Sequence, residues 1–452
     1  MHRGKRGNGF GETRKHQPHT EEGFVVSTGL SRIAQRAKDY PKERFTSLSH
    51  HLNAEFLCET WGALNKQGAV GVDRVTATAY AEHLEANLEN LANRLKEHRY
   101  HAPNVRRVYI PKPGQPNKLR PLGIPSLEDR LLQSATAQII GAVYEADFLP
   151  CSYGFRPGRN PHQAIARLRT ALLTESYQWV YEADIRGFFD HLNHDWLIRM
   201  LELRIGDPWM IRLIKKWLKA GIQENDGQVR RSTEGSPQGG PISPTLANIY
   251  LHYVLDLWFT KAFLPTCRGK VELIRFADDF LMLAEFQQDA IRFDRALRKR
   301  LEKFGLEVAE EKTRIIPYGR EAWRKGCKEH FDFLGFRHYL GTSKRGKMVV
   351  IRHPSPKSIK KFLGRVKDWL SQHQHSHHEV QRKQLTAMVR GFNQYFGLYH
   401  CSRKLHGVTR EVFRYWHLAL RRQSQRSKQT WETWNRKPWF RLPTAKLVHP
   451  NV

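Results

Sequence analysis

Val271-Glu272-Leu273-Ile274-Arg275-Phe276-Ala277-Asp278-Asp279-Phe280-Leu281-Met282-Leu283-Ala284 is two apolar runs joined by a turn that carries two acids. The pattern predicts a buried hairpin, Val271 to Phe276 and Phe280 to Ala284, with Asp278 and Asp279 at its tip. Taken alone, an Asp-Asp pair favours a solvated surface turn over a site. The apolar flanks place the turn beside a core, where a carboxylate is costly unless a cation or water meets it. Upstream, Val180-Tyr181-Glu182-Ala183-Asp184 reads as a short strand leading into Ile185-Arg186-Gly187-Phe188-Phe189-Asp190. Brought together, these acids would form an oxygen-rich cage for Mg²⁺, a hard cation that favours carboxylate, water and phosphate. Two such ions about 3.5–4 Å apart stabilise the attacking and leaving oxygens of an in-line phosphoryl displacement.

The surrounding chain has 452 residues, with 75 Lys and Arg against 44 Asp and Glu, a formal net charge of +31. Hydrophobic residues make up 40%, which builds cores and excludes a wholly disordered basic tail. The length suits about two to four domains. No run approaches the ~18 apolar residues of a membrane-spanning helix. The basic start, Met1-His2-Arg3-Gly4-Lys5-Arg6, is followed by no apolar segment, so no secretory signal is read. Cys58, Cys151, Cys267, Cys327 and Cys401 include no Cys-x-x-Cys pair, so neither a zinc finger nor a disulfide framework is readable, and a cytosolic setting is expected. The charge surplus points to a polyanion, nucleic acid before an anionic membrane surface. It is uneven: from Ser355 to Val452 there are 20 Lys and Arg against four acids, about half of the surplus. A catalytic middle flanked by nucleic-acid-gripping ends follows.

Residues 1–45 read as a basic leader, flexible at least over its first 25 positions. Leu48, Leu52, Phe56, Leu57 and Leu64 predict a helix over 48–66, broken at Gly68-Ala69-Val70-Gly71, with another over 79–98. Val105 to Ile110 predicts a strand ended by Pro111 and Pro113. Ser126 caps a helix to about Tyr144, with Asp129 at its third position. Helices are expected at 193–204 and 208–220, from Pro244, and at 287–304 before Gly305. Strands are expected near 306–309, 312–317 and 331–336, then helices at 356–371, 379–398 and 405–422. The tract His373-Gln374-His375-Ser376-His377-His378 reads as a polar loop, with metal binding the lesser alternative.

The order of several motifs resembles the proteins encoded by bacterial group II introns, which are reverse transcriptases and maturases. The motifs are Ile110-Pro111-Lys112-Pro113 with Leu119-Arg120-Pro121-Leu122-Gly123-Ile124-Pro125, Tyr153-Gly154-Phe155-Arg156-Pro157-Gly158-Arg159, and Ala183-Asp184-Ile185. Gly235-Ser236-Pro237-Gln238-Gly239-Gly240-Pro241-Ile242-Ser243-Pro244, Phe276-Ala277-Asp278-Asp279, Gly305-Leu306-Glu307, Glu311-Lys312-Thr313 and Phe333-Leu334-Gly335-Phe336 follow. The match runs over roughly 48–340.

The resemblance implies an α+β fold: right-hand fingers and palm, the palm carrying an antiparallel sheet, then a helical thumb or maturase domain. It places fingers with an N-terminal extension at 46–175, palm at 176–345 and thumb with a basic tail at 346–452. It implies an RNA-directed DNA polymerase using two Mg²⁺ ions, with Mn²⁺ as a substitute. By resemblance Asp184 and Asp278 ligate both ions, the Ile185 carbonyl completes one shell, and Asp279 supports the site with less direct metal contact. Lys112 and Arg120 hold the triphosphate of a dNTP, although the intervening loop leaves Lys118 as a substitute for Lys112. Gln238 lines the nucleotide site, Phe189 sits under the sugar and excludes a 2′-hydroxyl, and Lys312 lies toward the pyrophosphate. For Phe189 a plain core role beside Phe188 stays open, as does a solvated role for Lys312.

Between 356 and 422, Phe362, Val366, Trp369, Phe392, Tyr395, Phe396 and Tyr399 alternate with Lys360, Lys361, Arg365, Lys367, Arg390, Arg403 and Lys404. A three-helix bundle would turn the first set inward and the cations outward. Gly391-Phe392-Asn393-Gln394-Tyr395-Phe396-Gly397 resembles the family's thumb, which grips intron RNA and the template–primer duplex. Trp431, Trp434 and Trp439 suit either base stacking or burial against the bundle. The expected partners are group II intron RNA, an RNA template with a DNA primer, dNTPs and target DNA, with no membrane. The setting would be bacterial cytoplasm, at the nucleoid when on DNA. With no Cys-rich endonuclease segment before Val452, second-strand cleavage is not expected, and priming from a nascent strand is. Two other readings stay open: a splicing factor with a vestigial polymerase, and a reverse transcriptase domesticated by a defence or CRISPR system.

Overall fold

The computed structural model describes residues 28–112, 115–230, 234–235, 239–423, 430–449 and 452, leaving aside the side chains of 112, 115–118 and 435. The first helix, α1 (Thr28–Asp39), already corrects the expected leader over 1–45. Leu30, Ile33 and Ala37 recur at helical spacing, are buried, and pack α1 along a later helix, α5. The rest of that leader, 1–27, lies outside the described residues. The helix expected over 48–66 starts later, at α2 (Ala54–Ala63), because Asn53 accepts from the Phe56 N–H and caps it. The span 79–98 divides into α3 (Ala77–Glu82) and α4 (Leu84–Lys96).

β1 (Val105–Lys112) runs through Pro111 and pairs antiparallel with β2 (Gln115–Ile124), a strand the sequence did not signal. Proline is tolerated there because the other neighbour of β1 touches only Val105 and Arg106, so the rest of that edge needs no N–H donor. Helix α5 (Leu127–Tyr144) is capped by Ser126 as expected, and α6 (Pro161–Thr174) carries a full Asn160–Gln163 capping box.

The middle of the chain supplies β3 (Trp179–Asp184), α7 (His194–Glu202), α8 (Pro208–Leu218), β4 (Ile222–Gln223) and β5 (Val229–Arg230). Helix α9 (Ser243–Leu251) then continues through wide, π-helical turns at His252–Asp256 and Phe259–Phe263. The quoted hairpin forms as β6 (Val271–Phe276) and β7 (Asp279–Ala284). Helix α10 (Gln287–Glu302) ends before Gly305, whose φ is +70°. β8 (Arg314–Pro317), α11 (Arg320–Arg324), β9 (His330–Phe333), β10 (Phe336–Thr342) and β11 (Met348–Pro354) complete this region.

Three sheets result, ordered β2-β1-β4-β5, β6-β7-β3-β8 and β11-β10-β9. Apart from the short β1–β4 contact, every pair is antiparallel. Residues 306–309 form no strand; Val308 makes a single bridge to Ile185. The strand expected over 331–336 is broken by Leu334 (φ +50°) and Gly335 (φ +78°), which turn it into the β9–β10 hairpin. The C-terminal helices are α12 (Pro356–Gln372), α13 (His378–Phe396), α14 (Ser402–Arg422) and α15 (Trp431–Asn435). Phe362, Val366, Leu385, Val389 and Trp416 form their core. Trp434 is buried in it and Trp439 packs on Trp416 and Trp434, whereas Trp431 stays exposed. The histidine tract is the link between α12 and α13, and no described group of His, Cys, Asp and Glu there could hold a metal. No described helix is long and apolar enough to cross a membrane.

Asp129 does more than follow a cap. It is buried, and its Oδ1 accepts from the Tyr100 hydroxyl and from Trp217 Nε1 at 3.2 Å, so it joins α5 to α8. Oδ2 has no partner among the described residues. Burial pushes the carboxyl up to about 7, against the Trp217 bond and aided by the charge of Asp73. The folded protein therefore binds this proton more tightly than the unfolded chain does. The stabilisation is complete below about pH 4 and is lost as pH rises through the folded value. Asp129→Asn keeps an oxygen acceptor and never ionises. Its Tm should exceed the wild type's by several degrees at pH 8.5 and match it near pH 4. Thermal melts across that range check this; parallel pH profiles would contradict it.

Candidate active site

Strand pairing alone brings the predicted acids together. In the β3–β7 register Asp184 lies opposite Asp279, and Asp278 occupies the turn between Phe276 and Asp279. A two-residue hairpin turn requires positive φ, and Ala277 supplies it at +57°. Burial and then the charge of Asp184 raise the Asp278 carboxyl. Burial, then the charges of Asp184 and Asp278, push Asp279 up to about 8. The Leu334 N–H, presented by the turn before β10, opposes that rise by bonding the Asp279 carboxylate. Lys312 meets the cluster from the other side and pairs with Asp184. Its own burial would lower its pKa, but the bond and charge of Asp184 outweigh that and hold it raised. Ile185 is buried beside them, and its bridge runs through Arg186 N–H to Glu307 and Ala309 N–H to Asp184. That bridge leaves the Ile185 carbonyl unused.

The donors here are all oxygens, the charge of Asp184 raises both Asp278 and Asp279, and this chemistry suits a hard divalent cation. Among the described residues no three His, Cys, Asp or Glu side chains close into a metal cage. The arrangement is therefore an open one, in which water and substrate phosphate would supply further oxygens.

What fixes the turn is a residue the sequence reading passed over. Arg275 is fully buried, and its guanidinium makes five hydrogen bonds. Nε and Nη2 donate to the two oxygens of buried Asp256 at 2.7 and 2.6 Å. Nη1 donates to Asn248 Oδ1 and to the Ala277 carbonyl, both at 3.0 Å, and Nη2 also reaches Ser152 Oγ at 2.7 Å. Asp256 ends the first π-helical turn after α9, a type of irregularity frequent at functional sites. The signal was present: an arginine flanked by Leu273, Ile274 and Phe276 in a buried strand must find a buried anion.

The Tyr153-Gly154-Phe155-Arg156 motif acts on the same turn. Residues 151–153 cover the free edge of β6, with Arg275 N–H donating to the Cys151 carbonyl and Tyr153 N–H to the Arg275 carbonyl, each at 2.8 Å. Asn248 Nδ2 holds the Gly154 carbonyl at 2.6 Å. A Cβ on Gly154 would lie 2.4 Å from the Ala277 nitrogen, so only glycine lets the two backbones meet.

Phe189 is half-buried and edge-on to buried Phe188 at 5.4 Å. Its carbonyl and that of Asp190 abut Gly235, where a Cβ would come within 3.0 and 2.7 Å. At the other end of that loop, a Cβ on Gly239 would lie 2.4 Å from the Gly123 carbonyl of β2. The described ends of that loop thus lie against the Phe189 turn at Gly235 and against β2 at Gly239. Gln238 itself, like the Lys112 and Lys118 side chains, lies outside the described residues. Arg120 is exposed on β2 and acts on the Asp278 carboxyl through its charge.

A groove of about 1320 Å³ runs between Pro111, the β10–β11 hairpin and helices α12 and α14. Lys360, Lys361, Arg365, Lys367, Arg403 and Lys404 all line it, while Arg390 is exposed on α13 outside it. The bundle also reaches the acids: Tyr395 of α13 donates its hydroxyl to the Leu334 carbonyl at 3.0 Å, in the turn that bonds Asp279.

Removing one member of the buried pair leaves the other uncompensated, which costs about 3–5 kcal/mol. Arg275→Met should destabilise the protein by that order in urea titrations. Adding Asp256→Leu should recover part of the loss, and a double variant weaker than the single would contradict the pairing.

Residues 110–338 match the family described as reverse transcriptase (RNA-dependent DNA polymerase). Protein YkfC of Escherichia coli (strain K12) is 34% identical over 364 residues, covering 73% of this chain and 92% of that protein. The group II intron-encoded protein LtrA of Lactococcus lactis subsp. cremoris is 37% identical over 240 residues, 50% of this chain and 38% of LtrA. A nuclear intron maturase 1, mitochondrial, of Arabidopsis thaliana is 33% identical over 95 residues, 21% of this chain and 13% of that protein. The chain thus spans nearly all of the first relative and well under half of the other two. With the three acids assembled on a hairpin inside the matched region, the chain belongs to the reverse transcriptase family, among the group II intron reverse transcriptases and maturases.

Proposed function

We propose that this protein is an RNA-directed DNA polymerase using two Mg²⁺ ions, and that it also binds group II intron RNA as a maturase in splicing and retrohoming. The observation that carries the reading is the β3–β7 register, which sets Asp184 opposite Asp279 with Asp278 at the turn. The two metals would be held by Asp184, Asp278 and the Ile185 carbonyl, with Asp279 in support. Bound there, they supply Lewis-acid stabilisation for attack of the primer 3′-hydroxyl on the α-phosphate of a dNTP, with pyrophosphate as leaving group. Arg120 and Lys112 would hold the triphosphate, and Lys312 would neutralise charge beside Asp184. Phe189, packed on Phe188 and half open, would sit under the sugar and reject a 2′-hydroxyl. In this reading β1–β2 and the helices before it are fingers, the β6-β7-β3-β8 sheet is palm and α12–α14 are thumb. The groove under α12 would take the template–primer duplex through its phosphates.

Purified protein should extend a DNA primer on an RNA template with dNTPs and Mg²⁺. Asp184→Ala and Asp278→Ala should each cut the rate by about a hundredfold or more. Extension that survives Asp278→Ala would remove the assigned site, and no extension by folded wild type would favour the splicing-factor alternative. Gly154→Ala pushes on the Ala277 backbone, and kcat should fall by up to about a hundredfold with little change in KM. Phe189→Ala should raise ribonucleotide incorporation about tenfold or more. Splicing of an intron that surrounds the coding sequence should improve at low Mg²⁺ when protein is added; no improvement would favour a domesticated enzyme.

A further inference from the structure

A second groove, of about 650 Å³, opens between α8, the start of α7 and the segment before β1. Arg212, Lys215, Lys216 and Lys219 line one side of it at three- and four-residue spacing, so they form a single stripe. Trp209 underlies the stripe, with its ring 4.7 Å from the Lys216 ammonium and 5.8 Å from the Arg212 guanidinium.

Like charges at this spacing repel one another. No carboxylate among the described residues lies within ion-pair distance of the four, although arginines such as Arg156, Arg275, Arg298 and Arg314 are paired. Lys216 is drawn below its ordinary pKa by burial and then by the charge of Arg212. The helix dipole favours the lysines of the last turn, but it does not account for Arg212 at mid-helix. A bound polyanion would offset the repulsion of the whole stripe.

The ligand's chemistry can be narrowed. From Arg212 to Lys219 the helix advances about 10 Å, the axial length of about three phosphates on one strand of a duplex. Trp209 is buried, and the groove presents no aromatic ring other than the imidazoles of His101 and His194, so base stacking is not the mode of recognition. His101, His194 and Asn104 instead offer hydrogen-bonding groups beside the cations, as contacts to 2′-hydroxyls require, and Asp195 lines the same groove. His194 also touches the Gly235 carbonyl at 2.6 Å, at the entrance to the loop that carries Gln238.

We propose that the α8 groove is a second nucleic-acid surface, which takes the backbone of double-helical RNA outside the template–primer cleft. The proposal rests on the reverse transcriptase and maturase reading and adds a second duplex to it. Lys215 and Lys219 are exposed and their side chains hold no partner among the described residues, so Lys215→Gln with Lys219→Gln should leave folding intact, as a melting curve would show.

The probe is a fluorescent RNA hairpin of about one helical turn, titrated into protein whose cleft is filled with unlabelled template–primer. The double variant should bind the hairpin about five- to tenfold more weakly near 0.15 M salt, with a log–log salt slope reduced by roughly two. Its primer extension on a short template should match wild type. Unchanged hairpin affinity would overturn the proposal. So would an equal loss for a DNA hairpin of the same sequence, or a loss of extension in proportion to the loss of binding. Failure of the wild type to extend any primer would count against the polymerase reading alone, because the hairpin titration does not depend on it.

Discussion

The buried pair of Arg275 and Asp256 is the constraint on which the site depends. Taking two charges out of water is costly, and a well-packed apolar pair of similar volume is often as stable. The geometry here answers a different need. Arg275 lies two residues before Ala277, and one of its donors holds the Ala277 carbonyl of a turn whose φ of +57° costs an alanine free energy. The other donors tie that turn to Asp256 and Asn248 after and within α9, and to Ser152 in the loop before α6. Three segments far apart in sequence are thereby registered on two acids. A hydrophobic cluster could fill the same volume without specifying the direction of the turn.

A second tie comes from the C-terminal side. The Leu334–Gly335 turn gives one N–H to Asp279 and takes the Tyr395 hydroxyl on its Leu334 carbonyl, while Ser358 Oγ and Ser355 N–H bond the Gly335 carbonyl at 2.9 and 2.8 Å. The helical bundle is therefore hydrogen-bonded to the same turn that holds an acid. A shift of α13 against the sheet would be felt at Asp279 through two bonds, without passing through the core.

The acids, the hairpin, the Ser126 cap and the three long C-terminal helices were legible because each follows a local rule: apolar period, cap chemistry, charged tip. What escaped depends on contacts far away in sequence. The β2 strand carries two prolines and reads as loop until β1 pairs with it. Helix α1 hides behind a basic leader, with only Leu30, Ile33 and Ala37 facing inward. The break at Leu334 escapes notice because a strand buried on both faces tolerates the change of parity between Phe333 and Phe336. Arg275 was quoted and passed over, because nothing local names its partner 19 residues upstream. Among the cations, six of the seven named on the C-terminal helices do share one groove, and Arg390 does not. Helical spacing turns a residue outward without deciding which outward face meets a ligand.

The same packing that fixes the acids also makes them ready for a cation. Burial and mutual repulsion raise Asp278 and Asp279, so the metal-free cluster holds protons that a free carboxylate would have lost. Lys312 and Arg120 offset part of this charge, but a lysine pairs mainly with Asp184 and Arg120 acts on Asp278 from an exposed strand. A divalent ion held by Asp184 and Asp278 would replace protons, relieve part of the repulsion and leave coordination positions for water and phosphate. Rigid ties at Arg275 and Leu334 prevent the alternative relief, in which the carboxylates simply move apart. The strain of like charges is thus kept in the folded protein and is released only when a cation or a proton arrives, which couples metal binding to a geometry already set by the sheet.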